Sequence, residues 1–366
     1  MTRAAETPIA GVTTRIFRFP TPSPEADGTL TWDATTAVTV EVTAGRTTGL
    51  GWSYSTAATA RLIDDEFADV VTGRDALDVT GAWEAMVRHA RNLGRPGIVS
   101  HAVAAVDIAL WDLKARLLGL PLHRLFGAVR DQVPVYGSGG FTSLSDDDLR
   151  AQVDAWLELG VGGVKIKVGE AWGSHPRRDV ARTELVRSMV PDGVEVMVDA
   201  NGGYGPGQAR RLGAAYDDLG VTWFEEPVSS DDLATLALLR RATRCDIAAG
   251  EYADSVHYVE AMCGGGAVDC LQIDVTRCAG YTEWLRCAAV AAGHGLDVSG
   301  HCAPALHAPV AAAVPNLRHV EWFADHARLE PLLVDGLPPV RDGAMVLADS
   351  PGHGMALRPD AERFGA

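Results

Sequence analysis

Lysine is almost missing from this chain. Of its 32 basic residues only Lys114, Lys165 and Lys167 are lysines, and the other 29 are arginines. Positive charge as a whole is outnumbered, since 48 acidic residues leave a formal net charge of −16. A surface of that sign repels polyanions, which argues against nucleic acid and anionic membrane as the main partners. Long apolar runs are missing too, and none approaches the ~18 residues of a membrane helix. The opening stretch MTRAAETPIAGVTTRIF lacks the apolar centre of a secretion signal, so the expected location is the cytoplasm. Paired cysteine motifs are absent: Cys245, Cys263, Cys270, Cys278, Cys287 and Cys302 all fall in the last third, and none form CxxC. That argues against a zinc knuckle or a secreted disulfide framework and reads as buried thiols in a reducing compartment.

What is present is ordinary globular material, 366 residues with 47% hydrophobic content, enough for a large core. Residues 12–54 alternate in hydropathy (VTTRIFRF, TTAVTVEVTAG, TTGLGWSY) and predict antiparallel strands, with a Pro-rich loop TPSPEADG between the first two. From about Ala57 the period lengthens to that of helices, in ARLIDDEFADVVTG, WEAMVRHARNLG and HAVAAVDIALWDLKARLLG. Strands followed by helices predict an α+β domain over residues 1–127. Eight strand candidates then follow, VPVYGS, GVKIKVG, VEVMVDAN, VTWFEEP, DIAAGEY, CLQIDVT, LDVSGHC and LRHVEWF, mostly separated by helical segments. Alternation of this kind means parallel strands with crossover helices, and eight units suit a closed barrel. The last connection is too short for a full helix. The expected fold is therefore α/β: a modified TIM barrel of seven βα units plus a closing strand over 128–322, beneath an N-terminal α+β capping domain. Residues 323–366 are expected to pack back on the cap.

Charged residues gather at the carboxyl ends of these strands. Asp199, Glu225 and Glu251 are spaced by 26 and 26 positions, and Asp274, His301 and Glu321 follow after 23, 27 and 20. Each step is about one βα unit, so all should reach the rim where barrel enzymes place their active sites. One such carboxylate could cap the next helix. Three in register would repel one another unless a cation lies between them, and hard oxygen donors favour Mg²⁺ or Mn²⁺ over zinc. Lys165 and Lys167 lie two apart on one strand and so point the same way, inward. Arginine stays protonated, whereas a lysine beside a second cation can lose its proton near neutrality. Two of three lysines kept here suggest that one amine is a base, its pKa lowered by the other, which binds an anion. Asp274 and His301 end neighbouring strands, so the carboxylate can fix the imidazole as a second acid/base. His307, His319 and His326 are read as structural.

Together VKIKVG, MVDANGGYG, TWFEEPV, AAGEY, LQIDVTRCAGYTEW, SGHCAP and VEWF resemble the enolase superfamily, and within it the mandelate racemase-like subgroup, essentially end to end. The resemblance implies Asp199, Glu225 and Glu251 as Mg²⁺ ligands. It implies Lys167 as base on one face of the substrate and His301, paired with Asp274, as acid/base on the other. Lys165 and Glu321 would hold the substrate carboxylate, while Asn201 and Ser138 would line the site. Relatives with a lysine on each side carry one at the end of the sixth strand; Asp274 stands there and no lysine follows Lys167, which excludes that mechanism. The expected substrate is a small carboxylate, and the expected reaction is dehydration of an acid sugar to a 2-keto-3-deoxy acid through an enediolate. The alternative is racemisation or epimerisation of a 2-hydroxy acid by the same pair. Specificity is expected from Phe19–Thr29 and Gly51–Tyr54, the latter carrying Trp52, Ser53 and Tyr54. The resemblance also implies a homo-oligomer, dimer or octamer.

Overall fold

A computed structural model describes residues 7–366. The alternating N-terminal runs form one antiparallel sheet, β1 (Gly11–Ala26), β2 (Thr31–Ala44) and β3 (Thr47–Tyr54), in that order. The expected loop TPSPEADG is mostly strand: β1 continues to Ala26 across an irregularity between Pro20 and Glu25, then pairs Glu25 with Trp32 and Ala26 with Thr31. One face of the sheet buries Val38, Val40 and Val42 against the helix Ile98–Leu118. That contact is backbone-close. A Cβ at Gly49 or Gly51 would collide with helix carbonyls at Ala109 and Ala105, so only glycine fits there.

The eight expected barrel strands all form: β4 (Gln132–Gly139), β5 (Gly163–Lys167), β6 (Glu195–Asp199), β7 (Val221–Glu225), β8 (Asp246–Ala249), β9 (Cys270–Ile273), β10 (Asp297–Gly300) and β11 (Leu317–Phe323). Successive strands pair in parallel, and β11 pairs with β4 to close the barrel. Both faces of these strands are covered, which is why they read as near-continuous apolar runs. The connection from β10 to β11 holds only an eight-residue helix, Pro304–Ala311. Beyond β11 the chain forms the helix Ala324–Leu333 and adds a short antiparallel hairpin to the start of β4. It ends against the cap, where Gly365 bridges to Phe17 and Glu362 pairs with Arg15 at 2.9 Å. All six cysteines are buried and unbridged. Among the described residues no helix is long and apolar enough to cross a membrane.

Tyr136, Met197, Trp223, Ala248 and Cys270 fill the lower barrel. His319 lies among them, edge-on to Tyr136 with ring centroids 4.5 Å apart, its Nδ1 paired with the Ser299 hydroxyl at 3.0 Å. Burial, reinforced by Arg318 and Lys165, pushes its pKa from 6.5 down to about 3. An unfolded histidine binds a proton near pH 6.5 and this one does not. Its stabilising contribution is therefore complete above pH 6.5 and lost as the pH falls, by about 2 kcal/mol at pH 5. His319→Gln, which keeps a partner for Ser299, is expected to flatten the fall of Tm between pH 7 and pH 5. Equal slopes in the two proteins would contradict this.

Candidate active site

The carboxyl ends of the barrel strands open beneath the cap into a cavity of about 310 Å³. Strand register sets the first part of its floor: β5 places Lys167 beside Asp199 of β6, and β6 places Asp199 beside Glu225 of β7. The Lys167 ammonium pairs with Asp199 Oδ2, while the backbone N–H of Asn201 donates to Asp199 Oδ1 at 2.9 Å. The Asn201 side-chain amide donates to Asp199 Oδ2 at 3.2 Å, and Asn201 and Lys167 both face the cavity.

Lys165, two residues back along β5, lies one layer deeper. Its ammonium contacts Glu225 Oε2 at 2.5 Å, Glu321 Oε1 at 2.9 Å and the Tyr136 hydroxyl at 3.2 Å. Ser138 donates to Glu321 Oε1 at 2.6 Å, and the Cys302 N–H donates to Glu321 Oε2 at 2.7 Å. Lys165, Ser138 and Glu321 thus bond to one another and to their neighbours beneath the cavity rather than on its wall.

The opposite part of the rim comes from residues just past the strand ends. His301 Nδ1 meets Asp274 Oδ2 at 2.9 Å, and its Nε2 lies 3.3 Å from Glu251 Oε2. Asp274 Oδ1 accepts from the N–H and hydroxyl of Thr276, both at 2.7 Å. Arg277 donates to Glu251 Oε1 at 2.7 Å and stands 3.5 Å from Asp274. With Asp274 on Nδ1, the Nε2 of His301 is the nitrogen left for proton transfer. β5, which ends on Lys167, and β10, which His301 directly follows, are three places apart around the closed barrel.

Charge is tightly coupled in this site. Burial disfavours the His301 imidazolium, yet Glu251, Glu321 and the bond donated to Asp274 outweigh it and raise its pKa. Asp274 is held below the usual carboxylate range despite burial, by its bond to His301 and by Arg277. Glu251 falls to about 2 because His301 and Arg277 overcome its burial. Lys167 departs from the expectation of a lowered pKa. Burial and Lys165 do pull it down, but the Asp199 carboxylate outweighs them and the net shift is upward.

The donor set fits a hard divalent cation. Glu225 Oε1 and Glu226 Oε1 are buried without a hydrogen-bond partner, and Glu251 Oε2 has no hydrogen bond beyond its ion-pair contact with His301. Burial and Asp199 push Glu225 up to about 8, and burial with Glu251 pushes Glu226 well above the usual range. A bound cation would satisfy those oxygens and relieve their repulsion. Of the three expected ligands, Glu225 and Glu251 bring oxygens within 4.8 Å of each other and of His301, while Asp199 stands beside them committed to Lys167 and Asn201.

Three side chains of the site were given no role in it from the sequence. Glu226 was hidden by its neighbour in the doublet, although adjacent carboxylates at a strand end are themselves a signal. Arg277 lies in a loop whose course no periodicity reveals. Cys302 adjoins His301 with its sulfur 3.3 Å from Nε2, and nothing in its sequence context indicates that. Of the two expected specificity segments, Trp52 and Ser53 are fully buried within the cap, and Tyr54 alone of that group reaches the cavity.

A closed parallel barrel under an antiparallel cap, with a lysine and a His–Asp pair on one cavity wall beside unsatisfied carboxylates, defines an acid/base enzyme of the capped-barrel class. Family models agree: residues 11–127 match the mandelate racemase / muconate lactonizing enzyme N-terminal domain and residues 148–361 match the enolase C-terminal domain-like family. The chain belongs to the enolase superfamily, in its mandelate racemase-like subgroup. It is 35% identical over 323 residues to L-talarate/galactarate dehydratase of Salmonella typhimurium, spanning 86% of this chain and 79% of that one. A structure of that dehydratase liganded with Mg and L-lyxarohydroxamate superposes with a TM-score of 0.92 at 31% identity, covering 100% of this chain and 95% of the other. Identity to 3,6-anhydro-alpha-L-galactonate cycloisomerase of Streptomyces coelicolor is 33% over 368 residues, 98% of each chain. A mandelate racemase/muconate lactonizing enzyme-like protein from Rubrobacter xylanophilus gives a TM-score of 0.95 at 42% identity, over 98% of this chain and 100% of that one.

Proposed function

We propose that this protein is a Mg²⁺-dependent acid-sugar dehydratase in which Lys167 and His301 divide the proton transfers. The observation that carries this reading is the His301–Asp274 pair, with Nε2 directed to the same cavity that Lys167 enters. Asp199, Glu225 and Glu251 would hold the ion, which when bound supplies positive charge against the negative charge that grows on the substrate carboxylate. The α-proton of a carboxylate is very weakly acidic. Lys167, once its pairing with Asp199 is relaxed, removes it to leave an enediolate. His301, whose protonated form its acidic neighbours favour, donates from Nε2 to the β-hydroxyl as the C–O bond breaks. Water leaves, and the resulting enol tautomerises to a 2-keto-3-deoxy acid. Arg277 holds Glu251 and Asp274 in place, and Asn201 holds Asp199.

The same steps serve a substrate whose β-oxygen belongs to a ring, as in a 3,6-anhydro acid, where the ether oxygen takes the proton from His301. The test is to incubate the Mg²⁺-loaded protein with a panel of acid sugars and assay 2-keto acid. Formation of 2-keto acid from at least one is expected. Deuterium incorporation at C2 from D₂O with no keto acid would contradict dehydration and indicate epimerisation.

A further inference from the structure

The cavity between cap and barrel carries its cationic side chains at one end only. At the barrel end its wall carries the cationic groups Lys167, Arg277 and His301 alongside the carboxylates of Glu251 and Asp274. At the cap end, beside the apolar Leu30 and Trp32, the polar groups on the wall are hydroxyls and carboxylates, among them Thr35, Tyr54, Asp27 and Asp325. Asp325, at the start of the helix that follows β11, is 2% exposed and accepts from the Thr35 hydroxyl and from Arg328. Arg328 itself is not on the wall; its other terminal nitrogen donates to the Pro20 carbonyl at 3.1 Å. Asp27 accepts the backbone N–H groups of Thr29 and Leu30 at 2.6 and 2.7 Å. Behind Trp32, Glu25 adds a third acidic group, pushed up to about 7 by burial and by Asp325.

One further group at this end is a neutral donor. His326 accepts the Ala303 N–H on Nδ1 at 2.9 Å, which leaves its ring proton on Nε2. Its ring stacks on Tyr54, and burial pushes its pKa down to about 4. Among the described residues, then, the cap end offers carboxylate and hydroxyl acceptors and an imidazole N–H donor, with no free cation. Substrate hydroxyls pair with both kinds of group. A second carboxylate held there would be desolvated beside Asp325, with Arg328 already committed to Asp325 and off the wall, which is unfavourable.

We infer that the substrate carries a single carboxylate, bound at the barrel end, and presents hydroxyls to Asp325 and His326 at the cap end: an aldonate-type acid and not an aldarate. The inference rests on the reading of Lys167 and His301 as the reacting end.

The test compares matched pairs that differ only at the terminal carbon, galactonate with galactarate and gluconate with glucarate among them, on the full-length Mg²⁺-loaded protein. Binding is measured by calorimetry, and 2-keto acid formation is measured separately. For the best-bound pair, the monoacid is expected to bind at least tenfold more tightly, about 1.4 kcal/mol. Asp325→Asn is expected to narrow that ratio severalfold, by removing the repelling charge and releasing Arg328. Diacids bound as tightly as monoacids, or no binding by either member of any pair, would overturn the inference. A monoacid that binds tenfold more tightly but yields no keto acid sustains the substrate class while contradicting dehydration.

Discussion

Lys167→Ala is expected to lower turnover by about 10²–10⁴-fold, the range for loss of a positioned general base. Among the described residues the Lys167 ammonium is the only lysine nitrogen at the cavity wall, because Lys165 is spent on Glu225 and Glu321 beneath it. No other lysine can therefore take over. Arginine in its place would restore charge to Asp199 but not basicity, since a guanidinium does not give up its proton in this pH range. Lys167→Arg should consequently fold like the parent, judged by near-UV circular dichroism, while remaining as inactive as Lys167→Ala. Activity recovered in the arginine variant would mean that position 167 supplies only a charge.

Removal of the metal should be at least as damaging. Asp199, Glu225, Glu226 and Glu251 bring four buried carboxyl groups to one rim, and three of their oxygens have no hydrogen-bond partner. Exhaustive chelation is expected to abolish turnover and lower Tm, with added Mg²⁺ restoring both. A ligand at a hundredfold excess over its Kd stabilises the folded state by about 2.7 kcal/mol. The thermal shift thus reports binding independently of catalysis. Turnover that survives exhaustive EDTA treatment would contradict the metal assignment, and an unchanged Tm on adding Mg²⁺ would remove its physical basis.

Much of this site was legible in the sequence because a barrel converts spacing into position. Lys167, Asp199 and Glu225 share one level since each ends a strand and the strands run in register. Depth was harder to read. Period two says that Lys165 points inward like Lys167, but not that it lies a layer lower, where Glu321, Ser138 and Tyr136 enclose it. Trp52 and Ser53 misled for a similar reason: they belong to β3, which lies against the helix Ile98–Leu118, and that partnership is a tertiary fact. The TPSPEADG segment looked like a loop because of its prolines, yet an irregular edge strand tolerates them. The direction of the Lys167 shift also depended on tertiary structure. The sequence showed a second lysine two residues away, and only the assembled barrel shows that Asp199 is closer still. His326, read as structural, contributes to the cavity wall through a ring orientation fixed by the Ala303 N–H.

The division of labour between Lys167 and His301 is the central claim, and proton exchange in D₂O tests it most directly. Using the Mg²⁺-loaded protein with an acid sugar that it dehydrates and with the C2 epimer of that sugar, deuterium at C2 is followed by NMR for Lys167→Ala and His301→Asn. Lys167→Ala should lose exchange on the dehydrated substrate and keep it on the epimer, and His301→Asn should do the reverse. Loss of the same exchange in both variants, or its retention in both, would contradict the assignment of the two residues to opposite faces.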